Sequence, residues 1–402
     1  MSNLHPYIRL GTHYSALVAK VAKSSREFHP GERVELEITG IAHGGETVAR
    51  SDGWVFFVRY AIPGERVIAE ITQTGKSFHR ADAVEIITAS VDRVTPECRY
   101  FHPGGCGGCD FHHISARRQR ELKSQVITEQ FARVAKMDIT IPVAEVPLAD
   151  RDTTGYRTRM TLSIDSQARA GFYKVRSHEI QPIEECIVAA DHLEIAQVLA
   201  KRYPDQSTIQ IPSESRVEQI TVRGKRYTFR VSSESFWQGH LRAAEVLGER
   251  ALAALAPEPG ERALDLYGGV GLFGKLLADS GCEVEIIESS ASASDDCRFN
   301  LQEFSSARVH EGAVERKIRE IQSAHLVLLD PPRSGAEHEV LRAIVALAPR
   351  RICYISCDPA SLARDSARLA ELGYRIAEAS AYDLFPQTAH IECVFTFEPV
   401  IS

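Results

Sequence analysis

The sequence predicts a multidomain chain with an N-terminal small β-barrel, a central α+β domain and a C-terminal α/β domain built on a mainly parallel sheet. Three observations carry this. Short β runs punctuated by Gly and Pro fill residues 31–89, a cysteine-bearing glycine turn and a charged helical pattern follow, and from about Ser232 strands alternate with helical patterns. A length of 402 residues suits two or three domains, and 44% hydrophobic with 25% charged residues is ample for packed cores.

In chain order, the stretch MSNLHPYIRLGTHYSAL carries His5, Arg9 and His13 where a secretory segment needs an unbroken apolar run, and no run reaches the ~18 residues of a membrane span. A cytoplasmic protein without membrane contact is expected. Arg33–Ile38 and Glu65–Ile71 alternate apolar and polar residues, Trp54–Val58 is a buried-type run, and His43-Gly44-Gly45 and Pro63-Gly64 mark turns, which together predict a small antiparallel barrel. Trp54, Phe56, Phe57 and Tyr60 either fill that barrel or form a base-stacking platform. Ser115 to Lys136 has helical spacing, and its Arg117, Arg118, Arg120 and Lys123 form either a solvated face or a phosphate-contacting one. Gly155–Ile164 reads as a strand with Arg157 and Arg159 on one face, opening a β-rich section that runs to about Arg230.

In the last part, strands are expected at 262–267, 282–288, 308–310, 325–330, 351–356, 374–379 and 393–398, with helices at 272–280, 339–347 and 361–372. The loop from Asp265 to Gly274 satisfies G-x-G-x-x-G at Gly269, Gly271 and Gly274, and Glu288 ends the next strand where an acid would hold a ribose hydroxyl. A dinucleotide site, an S-adenosylmethionine site and a structural turn all fit this loop, with Asp265 inside the incoming strand favouring the second. Asp330-Pro-Pro-Arg-Ser-Gly335 and Ser356-Cys-Asp-Pro359 follow the fourth and fifth strands, where open α/β sheets place ligands. Cys357 precedes Asp358-Pro359, a cap and first-turn pair; exposed helix amides favour a thiolate there, whereas Asp358 opposes it.

Nine cysteines are too few and too scattered for a disulfide scaffold. Cys98, Cys106 and Cys109 surround a glycine turn as C-x7-C-x2-C, with Cys186 far downstream; a zinc ribbon shows two close pairs, so three-plus-one suits a four-thiolate cubane. The long first gap leaves His102, His112 or His113 as substitutes for Cys98, and unmodified thiols as the plain alternative. The net charge of −7 divides into +1 over residues 1–190 and −8 over 191–402, so a polyanionic partner would meet the front of the chain and the crevice.

The glycine loop, DPPRSG, YISCDPASLARD and FPQTAHIE, behind a barrel and a cysteine cluster, resemble the TRAM-containing family of S-adenosylmethionine-dependent RNA uracil-C5 methyltransferases from about residue 30 onward. The resemblance implies an OB-like TRAM barrel (28–90), a central domain with an iron-sulfur cluster (91–231) and a Rossmann-like methyltransferase domain (232–402). It implies Cys357 as nucleophile and Glu392 as base, donor contacts from Gln238, Tyr267, Glu288 and Asp330, and a 4Fe-4S cluster on Cys98, Cys106, Cys109 and Cys186. It further implies a monomer acting on RNA, with 23S ribosomal RNA favoured over tRNA. A cytosine-C5 enzyme would carry a second cysteine where this chain has Arg333. A non-catalytic RNA-binding assembly factor is the rival from another class.

Overall fold

The computed structural model describes residues 26–148, 151 and 153–400, so the N-terminal stretch read for a secretory segment lies outside it. Five strands, β1 (Arg33–Ile41), β2 (Thr47–Ser51), β3 (Trp54–Arg59), β4 (Arg66–Thr74) and β5 (Phe78–Thr88), close into a barrel in the order β1-β2-β3-β5-β4. Alternation in β1 turns Val34, Leu36 and Ile38 inward and Glu35 and Glu37 outward. The barrel is not wholly antiparallel as expected: β5 folds back on β4 and seals the gap beside β3 as a parallel pair. Phe56 and Tyr60 are buried in it, and half-buried Trp54 stands edge-on to Phe28, so the four aromatics form no single open platform.

Helix α1 (Ala116–Gln130) starts at Ser115, whose side chain accepts from the Arg118 amide, and runs on through a π turn at Phe131–Ala135. Its apolar stripe, Leu122, Val126, Ile127 and Phe131, packs into the same core as Leu266, Leu329, Tyr354 and Phe395 of the C-terminal sheet. Its arginines are held by acids: Arg117 by Asp92 and Glu121, Arg118 by Glu121, Arg120 by Glu145. Lys123 is buried and paired with Asp383 at 2.6 Å, and Arg118 and Arg120 are largely covered, so the four cations do not share one solvated face and each is already neutralised by an acid. After β6 (Val143–Glu145), strands β7 (Met160–Ile164), β8 (Ala170–Tyr173), β9 (Ile180–Pro182) and β10 (Thr208–Ile211) form a small sheet ordered β10-β7-β8-β9, flanked by the short helix α2 (Ile195–Leu199). The strand expected from Gly155 begins only at Met160. Arg157 instead bridges to Ala189 and His240, and Arg159 lies over the Phe236 ring at 4.8 Å, so the two arginines share no strand face.

The hairpin β11 (Arg216–Val222) and β12 (Lys225–Val231) buries Val222, Phe229 and Val231 against Leu247 and Leu252 of α3 (Ala243–Leu255). Beyond it come β13 (Arg262–Leu266), α4 (Leu272–Asp279), β14 (Glu283–Glu288), α5 (Ala291–Asn300), β15 (Ala307–Glu311), α6 (Val314–Lys317), β16 (Leu326–Leu329), α7 (His338–Ala346), β17 (Arg351–Ser356), α8 (Pro359–Glu371), β18 (Tyr374–Asp383) and β19 (Glu392–Pro399). The seven expected strands all form, and β6 adds an eighth in parallel with β18, giving the order β15-β14-β13-β16-β17-β19-β18-β6. Pairing is parallel from β15 to β17; β19 runs antiparallel between β17 and β18. The order reverses between β13 and β16, which opens a crevice above the strand ends. Among the described residues, no helix is long and apolar enough to cross a membrane.

Candidate active site

The crevice is built from the loops that follow β13, β14, β16 and β17. After β13 the backbone turns through positive φ at Tyr267 and Gly271. A Cβ at Gly271 would stand 2.8 Å from Cys297 Sγ, and one at Gly274 would stand 2.9 Å from Ile286 Cγ1, so the loop lies flat on α5 and α4 lies close on β14. Asp265 is wholly buried under this loop. Neither of its oxygens meets a donor at ordinary hydrogen-bond geometry. Burial pushes its carboxyl up to about 8, the Gly274 amide giving partial relief and Asp330 and Glu288 adding to the rise.

Between about pH 4, where the unfolded carboxyl ionises, and about 8, the folded chain retains a proton that the unfolded chain has lost. Stability from this group is therefore complete at the acid end and is lost as pH rises through that window. Asp265→Asn, similar in shape but not titrating, is expected to flatten the fall in Tm between about pH 5 and about pH 8 by several degrees. Scanning calorimetry of both proteins checks this, and parallel slopes would refute it.

Glu288 ends β14, and its carboxylate accepts from the Gly269 amide at 2.9 Å and the Ser290 amide at 2.6 Å. Gln238 arrives from a segment clamped to α5, where Asp296 accepts from the Ser232 amide at 2.7 Å and the Ser235 hydroxyl at 2.7 Å. The Gln238 side chain lies beside Asp330, the residue after β16, and favours its ionised form, yet withdrawal from water is the larger effect and pushes the Asp330 carboxyl up to about 7. Tyr267 stands half-buried at the β13 end. The structure thus brings Gln238, Tyr267, Glu288 and Asp330 to the ends of adjacent strands.

Cys357 follows β17, and Glu392 is the first residue of β19 rather than a residue before it. The antiparallel register pairs Ser356 with Cys393, so the next positions along each strand, Cys357 and Glu392, lie opposite one another. Both face Asp330. Burial, then Glu392 and Asp330, push the Cys357 thiol up to about 11, with Arg333 acting against the rise. Between the two influences the sequence left open at Cys357, burial beside Glu392 and Asp330 outweighs the helix amides, so the resting group is the thiol. Glu392 is 5% exposed, and burial and Asp330 raise its carboxyl well above the usual range.

Asp358 caps α8, accepting from the Ser361 amide at 2.8 Å, and its other oxygen meets His43 Nε2 of the barrel at 2.8 Å. Burial works the other way, yet the His43 pair and the Ser361 amide hold the Asp358 carboxyl down to about 2. Arg333 approaches His390 Nε2 at 3.2 Å. Burial, reinforced by Arg333 and Lys123, drives the His390 ring down to about 4, so it stays neutral beside that cation. His43 and the Arg333–His390 contact were not singled out from sequence as site residues; the unbroken runs DPPRSG and TAHIE carried the only signal for the latter.

Cys98, Cys106, Cys109 and Cys186 line one cavity with Tyr100, Phe101 and Phe172, and all four are free thiols. Burial, with Cys186 and Cys98 adding to it, pushes the Cys106 thiol up to about 11, and Cys109 and Cys186 are raised as well. His112 lines the same cavity, whereas His113 turns to the Ala61 carbonyl at 3.2 Å and His102 to the Pro103 carbonyl at 2.9 Å. Among the described residues, no three His, Cys, Asp or Glu side chains close around a point suited to a single metal ion. Cys282, Cys297, Cys353 and Cys393 are buried packing residues.

The chain matches the family model described as tRNA (Uracil-5-)-methyltransferase over residues 186–399 and the TRAM domain model over residues 27–84. It is 38% identical to an uncharacterized RNA methyltransferase of Streptomyces coelicolor, over 92% of this chain and 93% of that protein. It is 32% identical to the 23S rRNA (uracil(1939)-C(5))-methyltransferase RlmD of Halomonas elongata, over 91% of this chain and 89% of that protein. Among solved structures, the tRNA (uracil-54, C5)-methyltransferase of Pyrococcus abyssi in complex with S-adenosyl-L-homocysteine is similar with a TM-score of 0.67 and 21% identity, covering 90% of this chain and 100% of that one. At that identity the likeness speaks to the fold.

Proposed function

The chain belongs to the tRNA (uracil-5-)-methyltransferase family, and we propose that it uses S-adenosylmethionine to methylate C5 of a uridine in 23S ribosomal RNA through a covalent Cys357 adduct. The observation that carries the reading is the placement of a thiol and a buried carboxyl, Cys357 and Glu392, opposite one another beside Asp330 at the strand ends. The near full-length similarity to a ribosomal RNA enzyme favours that RNA over tRNA.

C5 of uracil is a weak nucleophile and needs help. Cys357 Sγ, as thiolate, adds to C6, and the electron pair of the C5–C6 double bond becomes available at C5. Bound in the crevice, the methyl donor would supply an electrophilic methyl group on a sulfonium, whose charge offsets the two acids nearby; the electron pair at C5 forms the C5–methyl bond as the methyl–sulfur bond breaks and the sulfonium leaves as a neutral thioether. Glu392, as carboxylate, then takes the C5 proton; that electron pair restores the C5–C6 double bond and the C6–S bond breaks, returning the thiolate. Gln238 and Asp330 are assigned to the donor's polar groups. Glu288 is assigned to its ribose, since two backbone amides fix the carboxylate and leave acceptor capacity free. Reaching C6 requires a base flipped from the RNA.

The four cysteines would suit a 4Fe-4S cluster: they are unpaired thiols around one largely apolar cavity. Such a cluster would supply a structural cross-link between the β7–β10 sheet and the glycine turn. Cys106→Ser is expected to lose most of the bound iron measured by elemental analysis; undiminished iron would contradict the assignment.

Labelled donor incubated with RNA substrates tests the main reading. Label is expected at a uridine of ribosomal RNA. Label at a cytidine would indicate a cytosine-C5 enzyme, label confined to tRNA would move the substrate, and no label in any RNA would leave a binding factor.

A further inference from the structure

Glu392 is reached from β18 through residues 384–391, and this base loop makes few hydrogen bonds within itself: the Thr388 amide and hydroxyl donate to the Phe385 carbonyl at 3.2 and 2.8 Å, and the His390 amide donates to the Thr388 hydroxyl at 3.2 Å. Its middle is held from outside. The amides of Asp110 and Phe111 both donate to the Gln387 carbonyl, at 2.8 and 3.0 Å, and the Ala389 amide donates to Asp110 Oδ2 at 3.0 Å. Gln119, 0% exposed, accepts from the Gln387 amide at 2.8 Å and donates to the Gln387 side-chain oxygen at 3.1 Å and the Ile114 carbonyl at 2.8 Å. Arg59 of β3 steadies Asp110 at 3.3 Å, and Tyr156 donates to the Pro386 carbonyl at 2.9 Å. Gln387 itself has φ of 66°, a left-handed conformation that is uncommon for a non-glycine residue.

The turn that presses on the base loop is the one that carries Cys109, immediately before Asp110. Resting on the proposed function above, we propose that Asp110 and Gln119 are positioning residues for Glu392. They template the base loop, and so link the cysteine centre to the proton-removal step rather than to methyl transfer. A displacement of Glu392 by a fraction of an ångström leaves Cys357, which is held by β17 and the α8 cap, free to add to C6. The enzyme then stalls with the methylated base still bonded through sulfur.

Asp110→Ala removes the acceptor for Ala389; Asp110→Asn keeps one. Using the full chain, RNA and labelled donor in single turnover, Asp110→Ala is expected to slow product release about 10- to 100-fold and to accumulate the covalent adduct, with adduct formation within about twofold of wild type. Asp110→Asn is expected to restore release, and Gln119→Ala to behave like Asp110→Ala. Amide hydrogen exchange should quicken over residues 386–391 in Asp110→Ala while residues 357–362 stay protected. Parallel loss of adduct formation and release, failure of Asp110→Asn to rescue, or unchanged exchange over residues 386–391 would overturn the inference. A wild-type protein that methylates no uridine would instead overturn the proposed function, so the two failures are distinct.

Discussion

Cys357→Ala is expected to abolish uridine methylation, lowering turnover by roughly 10⁴-fold or more. The size follows from the chemistry: without addition at C6, C5 has no electron pair able to displace a methyl group, and no other thiol stands in reserve. Cys393 follows Glu392 and is wholly buried, and Cys353 lies inside β17, also wholly buried. A fluorinated uridine RNA makes the test sharp, because fluorine at C5 cannot leave as a proton and the adduct persists. Wild type should give a protein–RNA species stable to denaturing electrophoresis, and Cys357→Ala none, while donor binding is retained. The resting thiol, pushed up to about 11, also predicts that adduct formation speeds up with pH across the neutral range.

Glu392→Gln is expected to show the opposite pattern: methyl transfer proceeds, the adduct accumulates, and product release slows by about 10²- to 10⁴-fold. Glutamine fills the same buried space without a proton-accepting carboxylate. It also removes, opposite Cys357, a carboxylate that opposes the thiolate when ionised, so addition at C6 is not hindered. Rapid quench with labelled donor separates the two steps. A variant that loses adduct formation and release together would place Glu392 in structural support rather than proton removal.

The centre of the C-terminal sheet was legible because β16 and β17, buried on both faces, read as continuous apolar runs, and the glycine loop and Asp330 mark strand ends by composition alone. The pairing of Cys357 with Glu392 was legible only as a resemblance. Its geometric cause is the antiparallel insertion of β19 beside β17, a matter of topology that no local pattern encodes. The protonated resting state of Cys357 was not legible either, since the helix dipole is visible in sequence while the burial that outweighs it is not. The contacts of Asp110 with Ala389 and of His43 with Asp358 join residues far apart in the chain, and each uses an ordinary polar side chain with no spacing to betray it. The basic front changed most. The arginines of α1 are paired with acids, Arg157 lines the cysteine cavity, and Arg159 packs on Phe236, so counting charge by chain half overstated the free positive surface.

Mass-spectrometric mapping of 5-methyluridine in RNA from cells with and without this gene, complemented by wild type or by Cys357→Ala, tests the central claim most directly. The expected result is one 23S ribosomal RNA uridine that loses its methyl group with the gene, regains it with wild type and does not regain it with Cys357→Ala; identical 5-methyluridine profiles in all four RNAs would contradict it.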